Sequence, residues 1–534
     1  MAWISDQVAK GRGLWFSLAV MLVLALPGFF TLPPVDRDEV LFAQSARQML
    51  ASGDFDDIHF GDAVRHKKPV GIYWLQSAAA AITGQPGEIW TYRLVSLVAA
   101  MLAVGLTHAT ARLFLTPGAT LLAAVALAAS LMLGAEAHLA KTDAALLATV
   151  TAAQYGLARA ITQGKLPVRL AMGFWAALAA SILIKGPIGP AVVAFTLAFQ
   201  CLIRRDLSLL RALRPRPGVA LMLLIAAPWF IAITIRSHGG FWAASLGRDM
   251  FDKLAGGQES HGLPPGSYLA AVWLTFWPAA MPLAAALPAI WRGKREAVVG
   301  FAFCWLIPTW TVFEATPTKL LHYTLPTYPA LALLLGYAWQ TKTACAPSSA
   351  PLSAPLSTLW PATLPGLLPP VLLAAVVWQS GQIGLILPPQ FWLGAASVIA
   401  ATALILRTAR STSALPLAAA LAAGGLALNA TLYPTLAAMP QLWPAGPLAA
   451  YANAHPECDF TVAGYAEPSL VFLTNNHVHF QEVAALPATL ASPGCHLIAT
   501  PAPANFAGLH MVGEVVGLNL GTGHMVDLVV LLKP

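Results

Sequence analysis

Apolar residues fall in long uncharged blocks along this chain, near residues 14–32, 93–115, 118–134, 143–160, 168–184, 186–203, 217–235, 267–291, 297–314, 320–339, 357–379, 388–407 and 412–432. A helix needs about 20 such residues to cross the hydrocarbon of a bilayer, so the pattern predicts about thirteen transmembrane helices. The first block is long and ends in Leu32-Pro33-Pro34 with no small-residue cleavage site, so it reads as a retained span and not as a signal peptide. Three segments are too polar to cross: 33–92, 236–266 and the tail from about 433. In the first of them, Val40, Leu41, Ala43, Ala46, Met49 and Leu50 alternate with Gln44, Ser45, Arg47 and Gln48. That spacing predicts an amphipathic helix over Glu39–Leu50 lying on the membrane surface. A second short helix is predicted after Pro69, through Gly71-Ile72-Tyr73-Trp74-Leu75, whose aromatics suit the membrane interface. The tail alternates strand-like runs at 460–463, 470–473 and 526–530 with Ala/Leu stretches, as a small α/β domain would. The expected architecture is an all-α polytopic membrane domain over residues 1–432, with juxtamembrane helices in its outer loop 33–92, and a C-terminal α/β domain over 433–534. Residues 343–358, rich in Ala, Pro and Ser, read as a flexible inner loop.

Composition agrees with lipid as the solvent. Hydrophobic residues make up 57% of the chain and charged residues 10%, against about 25% charged in a soluble globular protein. The formal net charge of +7 does not point to nucleic acid, because the basic residues sit at the ends of apolar blocks and form no stripe. With the N-terminus inside, the short inner segments collect more than half of the 30 basic residues, Arg204, Arg205, Arg211, Arg214 and Arg216 among them, whereas nearly all the acids fall outside. This is the positive-inside pattern. It predicts a multi-pass protein of the bacterial inner membrane with a cytoplasmic N-terminus and a periplasmic C-terminal domain. The five cysteines form no CxxC or zinc-ligand spacing; Cys458 and Cys495 both lie in the tail, either as a disulfide or as free thiols.

The outer segments carry the candidate chemistry. Val35-Asp36-Arg37-Asp38-Glu39-Val40 sets three carboxylates at a helix start. One acid is enough to cap a helix; three, beside a wall of apolar spans, suggest a general base for an acceptor hydroxyl or amine, with Asp38 first, Glu39 beside it and Asp36 as a cap. Arg65-His66-Lys67-Lys68-Pro69 puts cations on the face where retention signals do not belong, and reads as an anion site or a lipid head-group contact. Asp143 opens the fourth span from outside after Lys141-Thr142, and Lys185 marks an outer turn, where it either snorkels or serves the cavity. Arg248 and Lys253 stand in the loop 236–266; five residues apart, they diverge by about 140° on a helix and need not meet one group. His322 and Tyr323 open another span at the outer face and suit a phosphate or sugar. His477 and His479 share a strand face without a carboxylate nearby, which makes a weak metal site. Nucleotide loops, a dinucleotide fingerprint and HExxH are absent.

Taken in chain order, Asp38-Glu39, Lys68-Pro69 with Gly71-Ile72-Tyr73-Trp74-Leu75, Asp143 before Ala144-Ala145-Leu146-Leu147, Lys185-Gly186-Pro187 and Lys319-Leu320-Leu321-His322-Tyr323 leading to Pro326 resemble the GT-C superfamily of polyprenyl-phosphate-sugar glycosyltransferases. The nearest branch is that of protein O-mannosyltransferases and the lipid A aminoarabinose transferase. The resemblance implies an inverting transfer of a hexose or pentose from an undecaprenyl-phosphate-type donor to a glycolipid such as lipid A, or to a protein. It implies catalytic roles for Asp38, Glu39 and Asp143. The donor phosphate would meet Lys68 and Lys67 with Arg248, Lys253, His322 and Tyr323, and Asp36 and Lys185 would stand elsewhere in the cavity. In the aminoarabinose branch a Glu just before the phosphate-binding Lys helps hold a metal. Lys67 stands at that position here, which counts against a metal at that site; no cofactor is required, and a divalent metal stays an open alternative. The competing class is a transporter or flippase of a lipid-linked sugar, which would place ionisable groups at mid-membrane; here they gather at one end of the spans.

Overall fold

The computed structural model describes residues 6–245, 247, 263–345, 360–382, 384–411, 413–502 and 508–533. Among these, eight helices are long and apolar enough to cross a membrane: Ile89–Ala111, Asp143–Gln163, Val168–Lys185, Pro215–Arg236, Ala297–Ala315, Thr363–Gln382, Pro389–Thr408 and Ala414–Ala437. The chain is a multi-pass membrane protein. The other expected spans are short or broken, so the count of thirteen is not reached by length. Gly13–Ala25 and Ile188–Arg204 are apolar but shorter. Pro117–Ala128 and Leu131–Ala137 meet at 59°. The block at 267–291 divides into Ser267–Thr275 and Ala280–Arg292 around Pro278, and the block at 320 opens as a 3-10 turn, Leu321–Thr327, before Tyr328–Cys345. A break exposes backbone groups that lipid cannot satisfy, and here the breaks satisfy each other. The Leu131 amide donates to the Trp277 carbonyl at 2.9 Å, and the Thr275 and Tyr328 hydroxyls lie 2.5 Å apart.

Both juxtamembrane helices form, as Asp38–Ser52 and Gly71–Thr83. The first does more than lie on a surface: it buries Glu39, Gln44 and Ser45 along with Val40, Phe42, Ala43, Ala46 and Met49. Between the two helices a small hairpin pairs β1 (His59–Phe60) with β2 (Ala63–Val64).

The tail folds around a five-stranded sheet of β3 (Asp459–Ala463), β4 (His479–Gln481), β5 (His496–Pro501), β6 (His510–Asn519) and β7 (His524–Lys533), in the order β4-β3-β5-β7-β6. β3 runs parallel to β4 and β5; β7 runs antiparallel to β5 and β6. The strand-like run at 470–473 is instead the end of a short helix, Pro468–Leu473. Pro468 at its first turn presets the helical φ, and Leu470, Val471 and Phe472 bury on packing. Cys458 and Cys495 form a disulfide at the paired starts of β3 and β5.

The sheet domain docks on the first loop. The Asp36 carboxylate accepts the Ser469 amide at 2.7 Å, and Arg37 Nε lies 3.8 Å from Glu467. Arg47 donates to the Phe472 carbonyl at 3.0 Å. Arg37 takes a positive φ of 68°, uncommon for a side-chain-bearing residue, and its side chain runs with Glu467 over Gly521, where any Cβ would collide with both. The first loop and the tail therefore lie at the same end of the helices.

Candidate active site

The helix of the first span ends at Ala25, and after an irregular stretch helix restarts at Asp38 with two acids in its first turn, where the helix dipole favours them. Successive helical residues diverge by about 100°, and that step separates the two acids. Asp38 is exposed to a cavity of about 880 Å³. Glu39 turns inward and is 1% exposed. It receives Arg93 through Nε and Nη2, both at 2.8 Å, and also the amides of Val35 and Ala140, both at 2.9 Å. Its lone pairs are taken, and it lies outside the cavity wall. Asp36 is also turned away, onto the sheet domain.

A second carboxylate cluster faces Asp38 across the cavity. Asp143 opens its helix, and Lys185, at the end of the neighbouring helix, reaches it with Nζ 2.5 Å from Oδ1. His322 Nε2 lies 3.7 Å from the same oxygen, with Nδ1 3.9 Å from Glu136. Lys141 completes the lattice, its Nζ 2.9 Å from Glu136 Oε1. Burial opposes the Lys141 ammonium, but the carboxylates of Glu136, Asp143 and Asp38 outweigh it and hold its proton above the ordinary lysine range. Lys185 Nζ also sits 5.6 Å from the centre of the Tyr323 ring, within cation–π reach.

The third wall comes from the hairpin. β2 delivers Arg65, His66, Lys67 and Lys68 to the cavity before Pro69 and the next helix. His66 Nε2 is 2.6 Å from Asp57, and its ring packs edge-on against Phe241. Among the described residues the wall holds six basic side chains, Arg37, Arg65, Lys67, Lys68, Lys141 and Lys185, against the acids Asp38 and Asp143.

The structure thus brings together Asp38, Asp143, Lys67, Lys68, Lys185, His322 and Tyr323 on one cavity, and sends Asp36 and Glu39 elsewhere. Arg248 and Lys253 lie outside the described residues. His477 and His479 stand on the tail, away from this wall. Two groups were missed by the motif reading. Glu136, 3% exposed, is an acid inside Leu131–Ala137, and a carboxylate within an apolar helix is costly enough to mark function. Arg93 is a basic residue at the outer end of a span and pairs with Glu39.

The residues do not favour a metal at the position the aminoarabinose branch uses. Lys67 offers no ligand there, and the adjacent His66 is engaged by Asp57. Glu136, Asp143 and His322 converge, with candidate ligand atoms within 4.8 Å of one another. However, Lys141 and Lys185 already neutralise both carboxylates.

Comparison with known proteins follows the same lines. Residues 67–231 match a family model described as dolichyl-phosphate-mannose-protein mannosyltransferase, a stretch that includes Lys68, Asp143 and Lys185. The chain is similar to the undecaprenyl phosphate-alpha-4-amino-4-deoxy-L-arabinose arabinosyl transferase of Pseudomonas aeruginosa (strain UCBPP-PA14), 28% identical over 329 residues, 59% of this chain and 59% of that one. It is likewise 27% identical to the enzyme of that name from Edwardsiella ictaluri (strain 93-146), over 60% of this chain and 59% of that one. The matched segment thus spans under two thirds of these relatives. In three dimensions the fold is that of ArnT from Cupriavidus metallidurans, solved with undecaprenyl phosphate, at a TM-score of 0.73 and 18% identity over 97% of both chains. The archaeal oligosaccharyltransferase AglB from Archaeoglobus fulgidus, solved with an inhibitory peptide and a dolichol-phosphate, aligns at a TM-score of 0.53 with 12% identity, over 92% of this chain and 69% of that one. The chain resembles GT-C glycosyltransferases, and its fold is theirs.

Proposed function

We propose that this protein is a membrane glycosyltransferase that moves a sugar from an undecaprenyl-phosphate-type donor to an envelope glycolipid such as lipid A, with inversion, on the periplasmic face of the inner membrane. The observation that carries the proposal is the shared cavity: one exposed carboxylate, Asp38, faces a wall of lysines at the end of an apolar helix bundle. The likeness to transferases of polyprenyl-linked sugars supports the donor class. A transporter gains no support from the proteins matched here.

The donor arrives with its leaving group already made, a phosphodiester to the anomeric carbon, so the protein needs to place charge and hold a base. Asp38 accepts the proton of the acceptor hydroxyl as its oxygen attacks the anomeric carbon. The bond from that carbon to the phosphate oxygen breaks, and its electron pair leaves with the polyprenyl phosphate. Lys68, with Lys67 beside it and Arg248, Lys253 and Tyr323 as further candidates, offsets the charge that grows on the departing phosphate. Lys185 and His322 fix Asp143 against the same space, where it orients the sugar. Periplasmic placement rests on the positive-inside pattern, and the docking of the tail on the first loop supports the same side for the sheet domain.

The test is transfer by purified protein in lipid nanodiscs, read by mass spectrometry of the acceptor lipid and matched to envelope lipids of cells with and without the protein. Asp38→Asn should lower the rate ~10²- to 10⁴-fold, the range for a lost general base, with an unchanged melting temperature. Wild-type rates in that variant would remove Asp38 from the mechanism.

A further inference from the structure

One cation in the cavity wall is not accounted for by a single bridging phosphate. Arg65 follows the hairpin strand β2, is 9% exposed, and has its guanidinium carbon 5.2 Å from the centre of the Phe42 ring. Its backbone amide is paired with the Ile58 carbonyl at 2.7 Å. Its side chain is not: Nε is buried with no hydrogen-bond partner, and among the described residues no carboxylate pairs with the guanidinium. The other buried arginine here shows the contrast, since Arg93 spends all three nitrogens on Glu39 and backbone carbonyls. A buried charge left without a counter-ion is costly, and a guanidinium set over an aromatic ring, with its donors otherwise unspent, is a fork suited to a carboxylate or phosphate.

The position of Arg65 says which side of the reaction it serves. Phe42 lies one helical turn beyond Asp38 and so on the same face of that helix. Arg65 therefore stands on the Asp38 side of the cavity, whereas Lys185 and His322 gather around Asp143. Resting on the transferase reading above, we infer that Arg65 is a specificity site for a second anionic group, a carboxylate or phosphate carried by the transferred sugar or by the acceptor next to its reacting hydroxyl. The surplus of basic groups in the wall works the same way, against a substrate that brings a free ammonium here.

Binding separates the two sources without requiring turnover. The full chain in nanodiscs would be titrated with undecaprenyl phosphate alone, then with two matched pairs: undecaprenyl phosphate hexuronate against the neutral hexose, and a diphosphorylated acyl glucosamine disaccharide lipid against its dephosphorylated form. Wild type should prefer the anionic member of one pair by ~10- to 100-fold, the range of one charge-assisted contact. Arg65→Gln should erase that preference while binding undecaprenyl phosphate as wild type does, which also reports that it folds. Arg65→Lys, keeping the charge without the fork, should bind undecaprenyl phosphate and lose most of the preference. A preference confined to the first pair puts the anion on the donor sugar; one confined to the second puts it on the acceptor. The inference is overturned if wild type discriminates in neither pair, if the preference survives in Arg65→Gln, or if Arg65→Gln and Arg65→Lys both weaken undecaprenyl phosphate itself, which would assign Arg65 to the bridging phosphate. Discrimination by a wild-type protein that transfers no sugar from any donor would sink the transferase reading and leave the anion site standing.

Discussion

Replacing Glu39 tests whether the two acids of the first helical turn divide the work as their geometry indicates. Glu39 and Arg93 are 1% and 0% exposed and share two contacts of 2.8 Å. Removing Glu39 leaves Arg93 buried with the carbonyls of Leu32 and Pro33 and no counter-ion, and breaking a buried pair from one side costs ~3–5 kcal/mol. Glu39→Ala and Arg93→Leu should each lose stability in that range, measured by detergent-titrated unfolding in mixed micelles. The double variant should cost less than the sum, because no stranded charge remains. Activity should fall with stability, since the Glu39 carboxylate also ties down Val35 before Asp38 and Ala140 before Asp143, and so sets the spacing of both cavity acids. The reasoning fails if Glu39→Gln keeps wild-type stability yet is as inactive as Asp38→Asn, for then Glu39 acts in the chemistry and not as its frame.

Three further outcomes follow. Lys185→Met strips Asp143 of its 2.5 Å partner and should lower kcat ~10-fold or more with a smaller change in KM, as expected when a transition-state contact is lost; an effect on KM alone would argue against it. Burial raises the Asp36 carboxyl above the ordinary range despite the Ser469 bonds, and burial, then Asp36 itself, raises Glu467. Both bind more protons docked than free, so docking should strengthen as pH falls from neutral toward the ordinary carboxylate range and weaken as pH rises through the raised values; hydrogen-exchange protection of the Ser469 amide that falls on mild acidification would contradict this. Reduction of Cys458–Cys495, which closes a loop of 37 residues, should cost the sheet domain ~3–4 kcal/mol, seen as a lower melting transition absent in the oxidised protein.

Hydropathy made the membrane class, the outer loop and its two helices legible, because each depends on local pattern. It did not report where an apolar block is broken: Pro278 and the turn at Leu321–Thr327 split runs that composition alone joins. Asp38, Asp143 and the hairpin lysines were readable as charges at or just before helix starts. What could not be read was orientation. Asp38 and Glu39 are adjacent in sequence, and only the phase of the helix decides that one meets the cavity and the other a buried arginine 54 residues away. Pairings such as Lys185 with Asp143, or Asp36 with Ser469, join residues that no local spacing relates.

The charges at this end of the bundle fall into two kinds, and the division bears on how the site works. Glu39 with Arg93, Glu136 with Lys141 and Asp143 with Lys185 are closed pairs, each nearly excluded from water; the first ties the first loop to a span, and the others tie together the helix ends around Asp143. Such pairs add little net stability over apolar packing, and their use is to fix geometry. Asp38, Lys67 and Arg65 are the open members: an exposed carboxylate, an exposed ammonium and a guanidinium without a partner among the described residues. A site that neutralised these as well would be more stable and would have nothing to offer a phosphate or an attacking hydroxyl. Electrostatic catalysis needs charges held in place before the substrate arrives, and the closed pairs hold the backbone from which the open ones project.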